Sequence, residues 1–204
     1  MSLSIRTPPA MHALLIAASP SEHSRSAALL DAAGLALEAA GVGVRRLALR
    51  ELPAEALLRA RTGTPELGAA VAQVASASAV VFATPIYKAA YSGLLKVFLD
   101  LLPQDGLHGR WVWPLATGGS PAHTLALDHS LRPVLDNLGA HHVLPSVFAL
   151  DAQVAPQAAG GGALIDAAIQ ARLAAGAERL AGAFDAQRQL RASAAARAAA
   201  RCSA

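Results

Sequence analysis

The sequence lacks several features that mark particular classes of protein. It contains one cysteine, Cys202, so no internal disulfide can form, and this usage is typical of a reducing cytoplasm. No apolar stretch reaches the roughly 18 uninterrupted residues that a membrane-spanning helix needs, because charges such as Asp31 and Glu38 interrupt the runs. The start, from Met1 to Ala10, has no apolar core of the kind found in secretory signals. We therefore expect a cytoplasmic protein with no membrane partner.

Aromatic residues are also scarce, at 4% of the chain, although the formal net charge is +3 and the pI is near 9.6. A basic protein can bind nucleic acid. Here Lys88 and Lys96 are the only lysines among 17 basic residues, and the arginines are scattered along the chain. We therefore expect no nucleic-acid partner, and we interpret the charge as an arginine-rich surface with one or two phosphate sites.

Apolar residues, by contrast, make up 54% of the 204 residues, and the mean hydropathy is +0.39. This composition excludes an intrinsically disordered chain. A chain of this length buries about 70% of its unfolded surface, so it needs no disulfide or metal to fold. We expect one domain over residues 11–190, with flexible termini at 1–10 and 191–204.

Short apolar runs alternate with helical segments along the whole chain. The runs predict strands at Met11–Ser19, Val44–Leu49, Ala79–Thr84, Arg110–Thr117 and His142–Ala149. The segments between and after them predict helices at Arg25–Ala40, Pro53–Thr62, Glu66–Ser76, Tyr91–Leu102, Ala122–Leu138 and Leu164–Leu190, the last after a glycine-rich loop at Gly160–Gly162. This alternation predicts an α/β fold: a doubly wound, five-stranded parallel sheet in the flavodoxin-like order 2-1-3-4-5, with helices on both faces.

A polar loop follows the first predicted strand, at the edge where doubly wound sheets bind ligands. It runs from Ser19 to Ser26 and places hydroxyls and one guanidinium at the start of a helix. A helix N-terminus offers unpaired N–H groups and partial positive charge, which suits a phosphate. The donors that we expect to bind it are Ser19, Ser24, Arg25 and Ser26; an ordinary serine N-cap without ligand is the alternative. Neither a GxGxxG nor a P-loop motif occurs, which favours a mononucleotide.

Two further loops follow the third and fourth predicted strands. One carries a proline that stiffens the turn and a tyrosine that offers a flat face to a planar ring. The other carries two adjacent glycines that let the backbone approach a ligand closely. Their residues are Pro85, Ile86, Tyr87 and Lys88 in the first loop and Thr117, Gly118 and Gly119 in the second. Each alone resembles an ordinary strand-to-helix turn, but three such loops on one rim indicate a shared ligand.

Other kinds of site lack a supporting pattern. His141 and His142 are adjacent, and neighbours on a strand face opposite ways, so they do not share an ion easily. The remaining histidines have no cysteine or carboxylate at ligand spacing. No GxSxG nucleophile elbow occurs. We expect no metal site and no serine hydrolase.

The blocks PIYKAAYSGLLK (Pro85–Lys96) and PLATGG (Pro114–Gly119), with the serine and arginine loop, resemble the flavodoxin-like NAD(P)H-dependent FMN reductases. They are most similar to the reductases of alkanesulfonate and methanesulfonate monooxygenase systems, over about Met11 to Val154. The resemblance implies that FMN binds at the strand ends. The phosphate would lie on Ser19, Ser24, Arg25 and Ser26, and the isoalloxazine ring on Pro85, Ile86, Tyr87, Lys88, Thr117, Gly118 and Gly119.

The resemblance also implies a reaction and partners. NADPH or NADH would transfer a hydride to FMN, and the reduced flavin would pass to a flavin-dependent monooxygenase. The chain would assemble as a dimer or tetramer, and no residue would act as a catalytic acid or base. Two alternatives stay open: an FMN-bound quinone, azo or metal-ion reductase on the same fold, and a non-enzymatic electron carrier like flavodoxin.

One position departs from the alkanesulfonate pattern. Those reductases often carry tyrosine where this chain has His129, in the stretch Asp128 to Pro133. In the family this position makes a π-bulge near the tetramer interface and the flavin, and π-bulges often mark functional sites. Histidine there is similar to the methanesulfonate-type reductases. The alternative is a surface or interface histidine with no role.

Overall fold

The computed structural model describes residues 11–156 and 163–202. Its main sheet contains seven strands, which we number along the chain: β1 (His12–Ala17), β2 (Gly43–Ala48), β3 (Ala79–Tyr87), β4 (Ala90–Tyr91), β5 (Trp111–Gly118), β6 (His142–Val143) and β7 (Val147–Leu150). The parallel strands lie in the order β2-β1-β3-β5-β6, and β7 continues beside β5 beyond β6. This is the predicted order 2-1-3-4-5, so the predicted fold class is confirmed.

In the described part of the chain six α-helices surround the sheet: α1 (Arg25–Ala39), α2 (Ala54–Leu58), α3 (Pro65–Ser76), α4 (Gly93–Leu99), α5 (Arg132–Asn137) and α6 (Ala167–Cys202). They pack on both faces because the apolar residues of the inner strands point both ways. In β1, Leu14 and Ile16 belong to the core under α3, α4 and α5, whereas Ala13 and Leu15 belong to the core under α1 and α6. All four are fully buried, which explains the unbroken apolar run of this strand.

Several predicted boundaries are wrong. Strand β3 extends to Tyr87 and pairs with β4 in an antiparallel hairpin, so the helix predicted from Tyr91 begins at Gly93. The fifth predicted strand is divided into β6 and β7. The predicted helix over 122–138 consists of a 3-10 turn (Pro121–His123), a π-helix (Leu127–Leu131) and α5. Pro133 lies in the first turn of α5, directly after the π-helix.

The C-terminal part also differs from the prediction. Two short strands, β8 (Val154–Pro156) and β9 (Ala163–Ile165), pair antiparallel before the last helix. The glycine-rich loop between them, at residues 160–162, lies outside the described residues. Helix α6 begins at Ala167 rather than Leu164 and continues to Cys202, so the described part of the predicted flexible terminus is helical. Among the described residues, no helix is long and apolar enough to cross a membrane. The division into one domain with flexible termini stays a prediction.

Side chains close the outer edge of the sheet at β7. The Arg172 guanidinium on α6 donates to the backbone carbonyls of Ser146 (2.9 Å) and Phe148 (3.1 Å). The Gln153 carbonyl oxygen accepts from the backbone N–H of Leu150 at 3.0 Å. Unpaired edge groups otherwise invite strand addition by another chain. These contacts also fix the backbone that leads into the rim of the sheet.

Candidate functional site

The carboxyl ends of β1, β3 and β5 surround one cavity of about 260 Å³. The residues of the three predicted loops that line it are Ser19, Ser24, Arg25, Pro85, Ile86, Tyr87, Thr117, Gly118 and Gly119. Ser26 and Lys88, which we also predicted, do not line it. Ser21, His23 and Asp151 do, although we did not predict them. The structure therefore brings the three loops together at one rim; their role as ligand contacts stays a prediction.

At one end of the cavity the loop after β1 leads into α1. Ser24 is the N-cap, and its hydroxyl accepts from the backbone N–H of Ala27 at 3.3 Å. The hydroxyls of Ser24 and Ser26 lie 2.8 Å apart, with Ser26 buried beneath. The backbone N–H of Ser21 donates to the Ser19 hydroxyl at 3.2 Å. Ser26 thus supports the cap from below instead of facing the cavity.

The groups at the first turn of α1 favour binding of an anion. It contains no acidic residue, and the Arg25 side chain is exposed at its start. Backbone N–H groups, the partial positive charge of the helix end and a guanidinium therefore converge with the serine hydroxyls. This donor set matches a phosphate monoester.

The second wall is a strained hairpin instead of the predicted loop. Pro85, Ile86 and Tyr87 belong to β3, and the turn to β4 is formed by Lys88 and Ala89, with φ of +51° and +63°. Two left-handed residues in succession make the turn that suits a two-residue hairpin, although glycine or asparagine is usual there. The turn directs Tyr87, which is 51% exposed, to the cavity mouth and moves Lys88 off the lining.

Buried hydroxyls connect this hairpin to the first loop. The Ser92 hydroxyl donates to the Ala18 carbonyl at 2.6 Å, and the backbone N–H of Ser92 donates to the Thr84 hydroxyl at 2.9 Å. Ser92 also caps α4 by accepting from Leu95. Hydrogen bonds between buried groups hold geometry well because their loss leaves a polar group unsatisfied. The spacing between the two walls is therefore fixed.

The third wall is the turn after β5, where neighbouring side chains leave little space for a Cβ on Gly118. A Cβ on Gly118 would lie 3.1 and 3.2 Å from ring carbons of Phe148 and 3.5 Å from Nδ1 of His123. A Cβ on Gly119 would lie 3.6 Å from a carboxylate oxygen of Asp151. Nδ1 of His123 is itself buried, with no hydrogen-bond partner among the described residues. This wall therefore consists of backbone without side chains, and behind it Nδ1 of His123 has no hydrogen-bond partner among the described residues.

The π-helix lies beside the hairpin. His129 is the central residue of Leu127–Leu131 and is exposed, and β4 packs against this segment. The Ser130 hydroxyl donates to the Ala126 carbonyl at 2.6 Å. On β4, burial raises the pKa of Tyr91 above its usual value, and the nearby Lys96 charge opposes that shift. His129 does not line the cavity, so its predicted effect on the flavin would have to be indirect.

The histidines make other contacts. His108 and His141 meet edge to face with ring centroids 5.5 Å apart, and His142 stacks on Trp111 at 4.8 Å. Within 11–156 and 163–202, no group of three or more histidine, cysteine, aspartate or glutamate side chains is arranged to hold a metal ion.

Comparison with known proteins decides the family. The sequence model described as NADPH-dependent FMN reductase matches residues 11–155. The chain belongs to this family. It is therefore an enzyme, an oxidoreductase that works with FMN and NADPH or NADH, as the sequence blocks had indicated.

Individual relatives agree with the assignment. A protein named FMN reductase (NADPH) from Escherichia coli (strain K12) is 46% identical over 144 residues, which cover 71% of this chain and 75% of that protein. A protein named NADH-dependent FMN reductase SfnE from Pseudomonas putida is 39% identical over 121 residues, 59% of this chain and 62% of that protein.

Two solved structures extend the comparison to the fold. The apo form of an NADH:FMN oxidoreductase (EMOB) superposes with a TM-score of 0.76 at 37% identity, over 85% of this chain and 89% of that one. A flavodoxin from Streptococcus pneumonia TIGR4 superposes with a TM-score of 0.56 at 17% identity, over 85% and 99% of the two chains. The second match shows the fold alone.

The cavity fits the flavin mononucleotide of the family. Its donor set at α1 suits the phosphate, and the bare backbone of the glycine turn leaves space for a planar ring. Ser21 and His23 stand in the same polar loop as the predicted donors, so that loop already contained the signal for them. Asp151 gave no such signal, because it follows the fifth predicted strand, away from the expected switch in strand order.

Replacing Gly118 with alanine should weaken binding of FMN and riboflavin alike, by about tenfold, which corresponds to ~1.4 kcal/mol. The added Cβ presses on the Phe148 ring, so the ring or the loop must shift by a few tenths of an ångström. Flavin fluorescence titration measures both affinities. Gly119→Ala, whose Cβ makes ordinary contact, is the matched control, and Phe148→Leu should partly rescue Gly118→Ala by removing the ring. Wild-type affinity in Gly118→Ala would show that the wall tolerates a side chain.

Proposed function

We propose that this chain reduces FMN with NADPH or NADH and releases the reduced flavin to a separate flavin-dependent monooxygenase, with a sulfonate as the oxygenase substrate. One observation carries the proposal: the phosphate donors, the hairpin and the glycine turn converge on a single cavity open at the rim. The sulfonate class comes from the resemblance of Pro85–Lys96 and Pro114–Gly119. A cytoplasmic location, predicted from the single cysteine, agrees with a supply of reduced nicotinamide.

In this proposal the residues of the chain bind and orient the flavin and the nicotinamide, and none of them reacts chemically. Ser19, Ser24 and Arg25 hold the phosphate, which fixes one end of the ligand. Pro85 and Tyr87 bound the ring on the hairpin side, and the Gly118–Gly119 backbone bounds it on the other. When bound, FMN supplies a ring that accepts a hydride equivalent from the nicotinamide. Orientation and exclusion of water account for the rate enhancement, with no acid or base residue needed.

Free release of reduced flavin distinguishes the proposal from its rivals. Enzyme, NADPH or NADH and flavin are placed anaerobically on one side of a membrane that passes nucleotides but not proteins, with cytochrome c on the other. We expect cytochrome c reduction that depends on enzyme and on added FMN. Repeating the assay with FAD and riboflavin gives the flavin range, and alternating nicotinamides gives the donor preference.

Each contrary outcome identifies a different function. A flavin that stays with the protein through gel filtration, with rapid reduction of quinones and no reduction of cytochrome c across the membrane, favours an FMN-bound quinone, azo or metal-ion reductase. Absence of nicotinamide oxidation with added FMN favours an electron carrier.

We also propose a dimer or tetramer in which the π-helix lies at a subunit contact close to the flavin. Tyr87 and Leu125 support this, because they are large apolar side chains 51% and 56% exposed beside the cavity and the π-helix. A subunit contact at this place would remove apolar surface of both side chains from water, which is favourable.

Deleting His129 should convert the π-helix to an α-helix, since one residue fewer restores the regular hydrogen-bond pattern. The helical faces on either side then rotate relative to each other by about 100°. We expect a smaller oligomer and weaker FMN binding, measured by light scattering and fluorescence titration. His129→Ala keeps the residue count and is the control. Equal oligomer size in the deletion variant and the wild type would contradict the proposed role.

A further inference from the structure

The carboxylate of Asp151 is an unexpected group in a cavity prepared for an anion. Asp151 is half-buried, and one of its oxygens lies 3.6 Å from the position of a Cβ on Gly119. Among the described residues that line the cavity it is the only acidic one. Neither a hydrogen bond nor an ion pair to this carboxylate occurs within the described part of the chain. Its charge is therefore not neutralised by a protein partner.

The backbone around Asp151 is held in place. It directly follows β7, whose last residue, Leu150, pairs with Gly118 of β5. The Gln153 side chain accepts from the N–H of Leu150, and Arg172 donates to the carbonyl of Phe148. Both contacts involve the backbone that carries Asp151, so they hold its Cα at the glycine turn, within reach of the cavity that the side chain lines.

The two charged parts of the cavity act differently on the two redox forms of FMN. Arg25 and the N-terminus of α1 would hold the phosphate, whose charge is the same in both forms, so they would not discriminate between them. The ring differs, because it is neutral when oxidised and largely anionic when reduced at neutral pH. A fixed carboxylate in the same partly buried cavity repels the reduced ring more than the oxidised one.

We propose that Asp151 makes the cavity bind reduced FMN more weakly than oxidised FMN, and that this repulsion promotes release of the reduced product. The inference rests on the proposed function, for which release is the step that serves the oxygenase. It assigns Asp151 as a specificity-determining residue for redox state. Thermodynamic linkage requires the midpoint potential of bound FMN to lie below that of free FMN by the same coupling.

The test compares dissociation constants of oxidised and reduced FMN, titrated anaerobically, in wild type and Asp151→Asn. We expect the ratio of the reduced to the oxidised constant to fall about tenfold in Asp151→Asn, which raises the midpoint potential of bound FMN by ~30 mV. Asp151→Glu, which keeps the charge, should retain most of the wild-type ratio. Glu178→Gln is the matched control, because it removes the same charge from an exposed residue on α6 that does not line the cavity.

The outcomes separate this inference from the proposed function. If Asp151→Asn binds FMN with an unchanged ratio, the inference is overturned while the reductase function stands. An equal fall in Glu178→Gln also overturns it, since net charge would then explain the effect. A role limited to hydrogen bonding would move both constants together and leave the ratio constant. Asp151→Ser serves as a second neutral variant should the asparagine protein fail to fold. If the wild type binds neither form, the proposed function is overturned as well.

Discussion

Replacing Arg25 with alanine should raise the dissociation constant of FMN by about 10- to 100-fold and leave that of riboflavin nearly unchanged. The guanidinium stands at the start of α1, where it lines the cavity next to the Ser24 cap. A charge-assisted hydrogen bond contributes about 1.5–3 kcal/mol, and only FMN has a phosphate to accept it. Fluorescence titration with both flavins measures the difference directly.

The control for Arg25 is Arg45→Ala. Arg45 is an exposed arginine on β2 that does not line the cavity, so the change in net charge is identical. Raising the salt concentration should also weaken FMN binding in the wild type more than in Arg25→Ala, because an exposed ion pair is screened. Equal weakening of FMN and riboflavin in Arg25→Ala would mean that Arg25 supports the fold of the loop and not the phosphate.

Replacing Gly176 with alanine should lower the free energy of unfolding by about 3 kcal/mol, the upper end for overpacking a core. Gly176 lies on α6 where the helix crosses Trp113. A Cβ there would lie 2.2 Å from Cζ2, 2.7 Å from Cε2 and 2.8 Å from Cη2 of the indole. Trp113 is only 1% exposed and belongs to the core under α1 and α6. For a protein of this size the melting temperature should fall by roughly 10 °C, measured by circular dichroism.

The same helix supplies the control. Gly182 is exposed on α6, and a Cβ there would meet nothing within 4 Å. Gly182→Ala should therefore stabilise the protein by about 0.5–1 kcal/mol, through the better helix propensity of alanine. The two substitutions should change the free energy of unfolding in opposite directions, which separates the effect of packing from that of helix propensity. A melting temperature that rises in both variants would show that α6 does not press on Trp113.

The order of the sheet could be predicted because burial on both faces leaves a clear trace in sequence. The run from Ala13 to Ile16 is apolar at every position, and all of it is buried. The rim could be predicted for a related reason: parallel strands end on one edge, so Ser19, Pro85 and Thr117 had to converge.

The segment 121–138 could not be predicted in detail from its residues. The difference between a π-helix and an α-helix is the placement of one residue in the hydrogen-bond pattern, and propensities do not encode it. Family resemblance supplied that expectation at His129, and the structure contains a π-helix there. The β3–β4 hairpin was missed because Lys88 and Ala89 are poor residues for left-handed turns, so the turn has no sequence signature.

Contacts between distant parts of the chain left no local signal either. The approach of Gly176 to Trp113 joins residues far apart in sequence, and glycine within a helix usually predicts only weak helix formation. Asp151 is similar. In sequence it is an ordinary aspartate after β7, and only the pairing of β7 with β5 places it beside Gly119. The contacts of both residues depend on tertiary structure, so the local sequence does not predict them.

The 36 residues of α6 form a helix about 54 Å long at 1.5 Å per residue, yet among its side chains described up to residue 197 the last buried one is Phe184. The amide protons of Ile169 to Phe184 should therefore exchange with solvent deuterium only when the whole molecule unfolds, whereas those of residues 188–197, whose side chains are all exposed, should exchange through local fraying. One continuous helix would thus contain a slowly exchanging part and a rapidly exchanging part. The position at which the exchange rate changes would mark where the helix leaves the globular body.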